Sequence, residues 1–193
     1  MDLGPVADRE PSLRSEPLRR AAVLVPVFQT DSGPHVLFIK RSNDLAEHPG
    51  EMSFPGGGAE PRDRDRLATA VREAGEEVGL GPEEITTVGQ LDDIQTVSGY
   101  AVRPFVARIP DRPYEPTDAE VEQVVPLSVG ALTTPENHGY EFREHPEDGT
   151  IPCHHFYVDG YTIWGATARM LVQLLSLGTD WSAPEPPAID PGE

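Results

Sequence analysis

The sequence predicts an α+β domain in which a mixed β-sheet lies between helices. Three observations carry this. Apolar runs of strand length follow one another along most of the chain. Two longer segments, near 67–78 and 164–178, instead show the apolar spacing of a helix. Those helices are placed too unequally for a regular strand–helix alternation, which points to a sheet with helices on its faces.

The elements follow in order. Residues 1–18 are polar and Pro-containing and read as a flexible arm. AAVLVPVF (21–28) reads as a strand, with Pro26 suggesting an edge or a bulge because it has no N–H to give a neighbour. TDSGP is a turn and HVLFIKR (35–41) the next strand, so 21–41 forms a hairpin. The irregular stretch SNDLAEHPGEMSFPGGGAEPRDRD (42–65) is long for a compact domain, and loops of that length are usually functional. The first helix runs from about Leu67 to Val78, with Asp65 as N-cap and Gly79 as the stop. Its Leu67, Ala70, Val71, Ala74 and Val78 form one buried stripe.

Two strands, EITTVGQLDDI and AVRPFVARIP, are joined through QTVSGY. EVEQVVPLSV is a strand leading into a short helical turn at GALTTP, and GYEFRE with CHHFYVDGYTI makes a hairpin around HPEDGTIP. On such a strand His154 and His155 point to opposite faces, so they do not readily share one metal ion. WGATARMLVQLLSLG (164–178) is the second helix, and the Pro-rich tail 179–193 reads as disordered.

Composition narrows function. Thirty-three acids face fifteen bases, a net charge of −18, and Lys40 is the sole lysine. Such a surface repels nucleic acid and anionic membranes. No apolar run reaches the ~18 residues of a membrane span. The first residues show no apolar signal segment, so cytoplasm is the default. A single cysteine, Cys153, leaves no internal disulfide. The acidity suggests a protein that stays soluble in concentrated salt; an arginine-favouring, GC-rich genome is the alternative.

Within REAGEEVGL (72–80), Glu73, Glu76 and Glu77 share about a third of the helix circumference. Like charges at these spacings repel, and the C-terminal end of a helix dipole disfavours anions. A hard divalent cation held by carboxylate oxygens would account for them. A solvated acidic face is the other reading.

The glycine loop and this helix, FPGGGAEPRDRDRLATAVREAGEEVGL (54–80), together resemble the Nudix box. That pattern runs Gly, five residues, Glu, seven residues, Arg-Glu, apolar, any, Glu-Glu, any, Gly, apolar. Arg72, Glu73, Ala74, Glu76, Glu77, Gly79 and Leu80 match its second half. In the first half, five residues after Gly57 stands Asp63, and eight residues rather than seven precede Arg72. The coenzyme A pyrophosphatase branch of the family carries such an insertion. It also carries an upstream signature seen here in VLFIKRSNDLAEHPGEMSFPGG: Arg41, Ser42, Gly50 and Phe54 to Gly57 keep its spacing, with Ala46 where a second Arg is expected.

The resemblance implies a Nudix-type α/β/α sandwich over 19–178 and a hydrolase for a diphosphate bond linked to a nucleoside. It implies Mg²⁺ or Mn²⁺, a small-molecule nucleotide substrate, and no nucleic acid or membrane partner; monomer and homodimer both stay open. Coenzyme A or acyl-CoA leads as substrate. ADP-ribose, NADH or dinucleoside polyphosphates follow, and a non-catalytic nucleotide-sensing module comes third. Glu73 and Glu77 are expected as metal ligands, and Glu76 as a ligand or as the holder of one of the ion's waters. Gly56 and Gly57 allow close backbone approach to metal or phosphate. Arg72 is expected to orient the glutamates, with Asp63 as its partner. Glu120 and Glu122 are candidates for the general base, although a solvated strand edge explains them as well. Arg41 is the leading phosphate-binding candidate, beside Ser42; Arg19, Arg20 and Arg103 are weaker ones, any of which could equally be a surface ion-pair partner.

Overall fold

A computed structural model describes residues 1–14, 19–145 and 149–188. In chain order its elements are α1 (Gly4–Ala7), β1 (Arg19–Thr30), β2 (Gly33–Arg41), β3 (Met52–Ser53), β4 (Gly56–Gly58) and α2 (Arg66–Val78). Then come β5 (Thr86–Gln90), β6 (Ile94–Gln95), β7 (Tyr100–Arg108), β8 (Val121–Ser128) and α3 (Val129–Leu132). A second, smaller sheet and a helix close the chain: β9 (His138–His145), β10 (Gly149–Val158), β11 (Tyr161–Ile163) and α4 (Gly165–Gly178).

The main sheet runs β3-β2-β1-β7-β5, with β4 on β1, β6 on β7 and β8 on β2. β1 and β7 are parallel and the other pairs antiparallel, so the sheet is mixed, as expected. Strand alternation divides the core in two. Ala22, Leu24 and Phe28 of β1, Leu37 and Ile39 of β2, and Phe105 and Ala107 of β7 pack against Ala70, Ala74 and Val78 of α2. On the other face Val25, Val27, Val36, Phe38 and Val106 pack with Ala168, Leu171, Leu174 and Leu175 of α4. This is the α/β/α sandwich, α2 on one face and α4 on the other.

Three expectations need correction. Pro26 does not sit on an edge or bulge, because β1 is central. β1 pairs with β4 through residues 21–23 and with β2 through 27–30, and Pro26 falls in the gap between these two partners. There the absent N–H costs no ladder hydrogen bond. The start of the chain is not a loose arm over residues 1–14. Leu3 and Val6 are buried, Asp2 N–H donates to Gly178 O, and the N–H groups of Ser12 and Arg14 donate to Asp92 and Asp93. Nor is the tail loose at its beginning: Trp181 lies edge-on to His138, and the Tyr140 hydroxyl donates to Pro184 O. Residues 15–18 and 189–193 lie outside the described residues. No helix among the described residues is long and apolar enough to cross a membrane.

Candidate active site

The catalytic-helix candidate α2 is fixed at both ends. Asp65 Oδ1 accepts the Ala68 N–H at 2.8 Å, and Gly79 ends the helix in the left-handed region at φ 66°. The buried stripe faces the sheet, which sets the azimuth of the four charged residues. Arg72 bridges outward to the loop, Glu76 faces solvent, Glu73 is half-buried, and Glu77 is buried at 5% exposure.

Arg72 is the hub. Its Nε and Nη2 donate to the two oxygens of Asp63 at 3.0 and 3.1 Å, and Nη2 also donates to Gly58 O. Nη1 reaches Glu76 at 2.9 Å and Glu73 at 3.0 Å. The guanidinium, together with the Glu60 and Thr69 hydrogen bonds, holds the Asp63 carboxyl well below the usual carboxylate range, and Asp63 in turn raises Arg72 further. The aspartate that stands in the box's glutamate position thus anchors Arg72.

Glu77 is the exception in this network. Its carboxylate lies under the glycine loop and accepts the Gly56 N–H at 2.9 Å. Burial pushes its carboxyl up to about 8; the Gly56 N–H opposes this, and the neighbouring charge of Glu73 adds to it. Glu73 is also raised, chiefly by burial, with Arg72 pulling the other way. A Cβ at 57 would meet Glu73 Oε1, so a larger residue there would displace the Glu73 carboxylate. At 56 a Cβ would strike the backbone of Ala22 and Val23.

The remaining expected residues divide. Arg41 ends β2, its Nη2 3.8 Å from Glu120 Oε2, and its Nε is buried without a hydrogen-bond partner. Both Arg41 and Glu120 are close enough to act electrostatically on Glu77, so they belong to the same site. Ser42 serves the loop: its N–H donates to Glu120 O and its Oγ accepts the Asp44 N–H. Glu122 is engaged differently from Glu120, accepting from Lys40 Nζ at 2.8 Å and Asn43 Nδ2 at 2.7 Å. Arg103 is a correction. It is held bidentately by Asp93, both bonds 2.9 Å, and the Asp93 side chain is fully buried. Burial alone would raise the Asp93 carboxyl, yet Arg103 and the Arg14 N–H bring it below its ordinary value. The same Asp93 lies 3.8 Å from Arg66 at the start of α2. Its signal in the sequence was the acid pair of LDDI, set between two apolar residues, with Asp93 ten residues before an arginine.

The oxygen-only character of the site suits a hard cation. Glu77, buried beside a second carboxylate and given one backbone N–H, is the group whose desolvated charge such an ion would neutralise. The three glutamates are not gathered as a ready cage, however. Among the described residues no three acidic, imidazole or thiol groups converge to metal-binding distance. Glu76 is paired with Arg62 at 3.1 Å and with Arg72 at 2.9 Å, and Glu73 shares the same Arg72 Nη1 at 3.0 Å.

Comparison with known proteins agrees with this geometry. A family model described as the NUDIX domain matches residues 18–147. The chain is 35% identical over 159 residues to Nudix hydrolase NudL of Enterobacter sp., covering 81% of each chain. It is 33% identical over 168 residues to NudL of Escherichia coli, covering 85% of this chain and 86% of that one. Two solved structures share the fold at 18% identity and a TM-score of 0.50. They are a C. elegans Ap4A hydrolase, matched over 58% of this chain and 82% of its own, and the NUDIX domain of Shewanella oneidensis NrtR, over 60% and 76%. The chain belongs to the Nudix hydrolase family, whose members act on small nucleotides through a diphosphate linkage and generally use divalent metal ions.

Proposed function

We propose that this chain is a Mg²⁺- or Mn²⁺-dependent coenzyme A diphosphatase, acting on coenzyme A or its acyl forms to give 3′,5′-ADP and 4′-phosphopantetheine. The observation that carries the hydrolase reading is the buried Glu77 carboxylate tied to the Gly56 N–H, with Glu73 beside it. Support for coenzyme A comes from the spacing of Arg41, Ser42, Gly50 and Phe54–Gly57 ahead of an inserted box.

Water adds across the P–O–P linkage: its oxygen bonds to one phosphorus, and the bridging oxygen leaves with the other. A divalent ion held by Glu73 and Glu77 would neutralise phosphate oxygens and make a water acidic enough to attack. The chain's own residues do the rest. Arg72 fixes Glu73 against the Gly58–Asp63 loop, so the carboxylate is oriented before substrate arrives. The glycine loop lets backbone N–H groups approach phosphate without side chains in the way. Arg41 has an unfilled buried Nε and a loose contact to Glu120, which suits it to a diphosphate oxygen. Glu120, a base candidate, is exposed and can accept the proton water gives up.

Ala46, standing where the signature has arginine, favours a second reading: a nucleotide without the 3′-phosphate, such as ADP-ribose, NADH or a dinucleoside polyphosphate. A panel of coenzyme A, its 3′-dephospho form and ADP-ribose, run with Mg²⁺ and with Mn²⁺ at low and high salt, separates the two. Coenzyme A should be cleaved with the highest kcat/KM. Good cleavage of ADP-ribose with none of coenzyme A ends the first reading.

A further inference from the structure

The second sheet, ordered β11-β10-β9, has β9 at its edge. Among the described residues β9 exchanges backbone ladder bonds with β10 alone. The tail meets this strand through side chains: the Tyr140 hydroxyl donates to Pro184 O, and Trp181 lies against His138. One residue fixes where the free backbone groups of β9 point. Phe142 stands opposite Pro152 of β10. Proline has no N–H, so these two cannot be a pair that exchanges both hydrogen bonds. They are the other kind, in which each residue turns its backbone groups away from its partner. By alternation, Tyr140, Phe142 and Glu144 direct N–H and C=O to the open edge, while Glu141 and Arg143 direct theirs to β10.

The two edges of this hairpin are not alike. β10 pairs with β11 only at 156–158, so among the described residues its outer edge at Pro152 is unpaired as well, but proline offers no donor there. β9 carries neither proline nor lysine to blunt it, and Phe142 on it is 40% exposed. Such an edge can accept another strand. Its own charges say which. Lay β9 antiparallel on a second β9 with Phe142 opposite Phe142. The outward groups of the two Phe142 residues then meet, as do those of Tyr140 and Glu144 of opposite copies. Glu141 of each copy faces Arg143 of the other, in the pair type where side chains lie closest. The neighbouring registers that keep the hydrogen bonds set Glu141 against Glu141, or Arg143 against Arg143, and like charges directly opposite are destabilising.

Neither charge need be free for this. Arg143 Nη2 is 3.2 Å from Glu141 Oε2 of its own strand, and its guanidinium lies 4.3 Å over the Trp164 ring. Glu141 also accepts from the Tyr157 hydroxyl and lies 3.2 Å from His155 Nε2. Both side chains are nearly half exposed, and a second copy gives each an additional opposite charge, closing a ring of alternating sign. The net charge of −18 opposes association at long range, but that repulsion is screened beyond about 8 Å at physiological ionic strength.

We infer that β9 is a self-association edge: it pairs with β9 of a second copy about a two-fold axis at Phe142, and the two small sheets become one.

The test is sedimentation of the full chain over a concentration series at physiological ionic strength. The edge is short and interfaces of this class are weak, so dimer should be evident by about 100 µM. Glu141→Arg alone and Arg143→Glu alone should each weaken it at least about tenfold, because each puts like charges face to face. An equimolar mixture of the two variants should associate again, and so should the double variant Glu141→Arg/Arg143→Glu. Phe142→Pro should leave the chain monomeric with its circular dichroism spectrum unchanged, since the lost N–H points away from β10. A wild type that stays monomeric over the series overturns the inference. So does a dimer indifferent to Phe142→Pro, which places the contact on another surface, or a mixture of the single swaps that fails to associate.

Discussion

Glu77→Gln tests the chemistry of the site through stability before activity is measured. The wild-type carboxyl is pushed to about 8 in the folded chain against an ordinary value of 4.5. The sign follows from linkage. A folded value above the unfolded one means that full stability is present below pH 4.5 and is lost as pH rises through about 8. At pH 7 the folded chain must protonate a group that is ionised when unfolded, at a ceiling of about 3 kcal/mol, or about 2 kcal/mol once rim water is allowed for. Glutamine keeps the shape, and its carbonyl can still accept the Gly56 N–H. The metal-free variant should therefore melt roughly 4–8 °C above the metal-free wild type near pH 8 and converge with it near pH 4.5. Mg²⁺ should raise the wild-type melting temperature and leave the variant's almost unmoved. Hydrolysis should fall by about a thousandfold, the several kcal/mol a metal contributes to charge stabilisation. Melting curves that coincide from pH 5 to 8, or equal stabilisation of both proteins by Mg²⁺, would refute the idea that a cation replaces a proton on Glu77.

Three further outcomes are expected. A double-mutant cycle on Asp63→Ala and Arg72→Ala, read by urea unfolding, should give a coupling of about 1–2 kcal/mol; because Arg72 holds the Asp63 carboxyl below its ordinary 3.8, the coupling should persist at pH 4 and vanish only at stronger acid. The half-buried His154, whose Nδ1 lies 3.0 Å from His138 Nε2, is lowered to about 4 first by burial and then by His138. Stability should therefore fall as pH drops from 6.5 to about 4, by about 1–2 kcal/mol after discounting for partial exposure, and His154→Phe should flatten that slope in melts. Leu3→Ala should cost about 3 kcal/mol, or roughly 6–12 °C in melting temperature, because Leu3 is 1% exposed; a loss below about 0.5 kcal/mol would restore the loose-arm reading of residues 1–14.

What the sequence disclosed is what local chemistry controls. The apolar stripe, Asp65 and Gly79 specify α2 to within a residue, since cap and period act within one helix. The hairpin 21–41 and the strand 121–128 were legible for the same reason. The N-terminal segment was not. Leu3 and Val6 are too few to make a period, and their burial depends on distant partners. Gly89 of β5 is what lets the chain lie there, because a Cβ on it would strike Val6 O. Pro26 misled because its tolerance depends on where two other strands stop, which no property of β1 encodes. Arg103 misled likewise: an arginine offers the same guanidinium to a phosphate or an aspartate, and only the pairing of β6 with β7 brings Asp93 to it.

The crowded glutamates show most clearly how the two levels divide. Helix geometry puts Glu73, Glu76 and Glu77 on one edge, and that alone leaves a bound cation and a solvated acidic face as equal readings. Packing separates them. Arg62 and Arg72 neutralise Glu76 at the surface, and Arg72 also reaches Glu73, so most of the repulsion is relieved without metal. The glycine strand β4 lies over Glu77 and removes it from water, leaving Gly56 N–H as its hydrogen-bond donor. Charge density therefore does not by itself identify the ligand edge. Burial with a backbone N–H as donor distinguishes Glu77, whereas Glu73 and Glu76 share the Arg72 guanidinium.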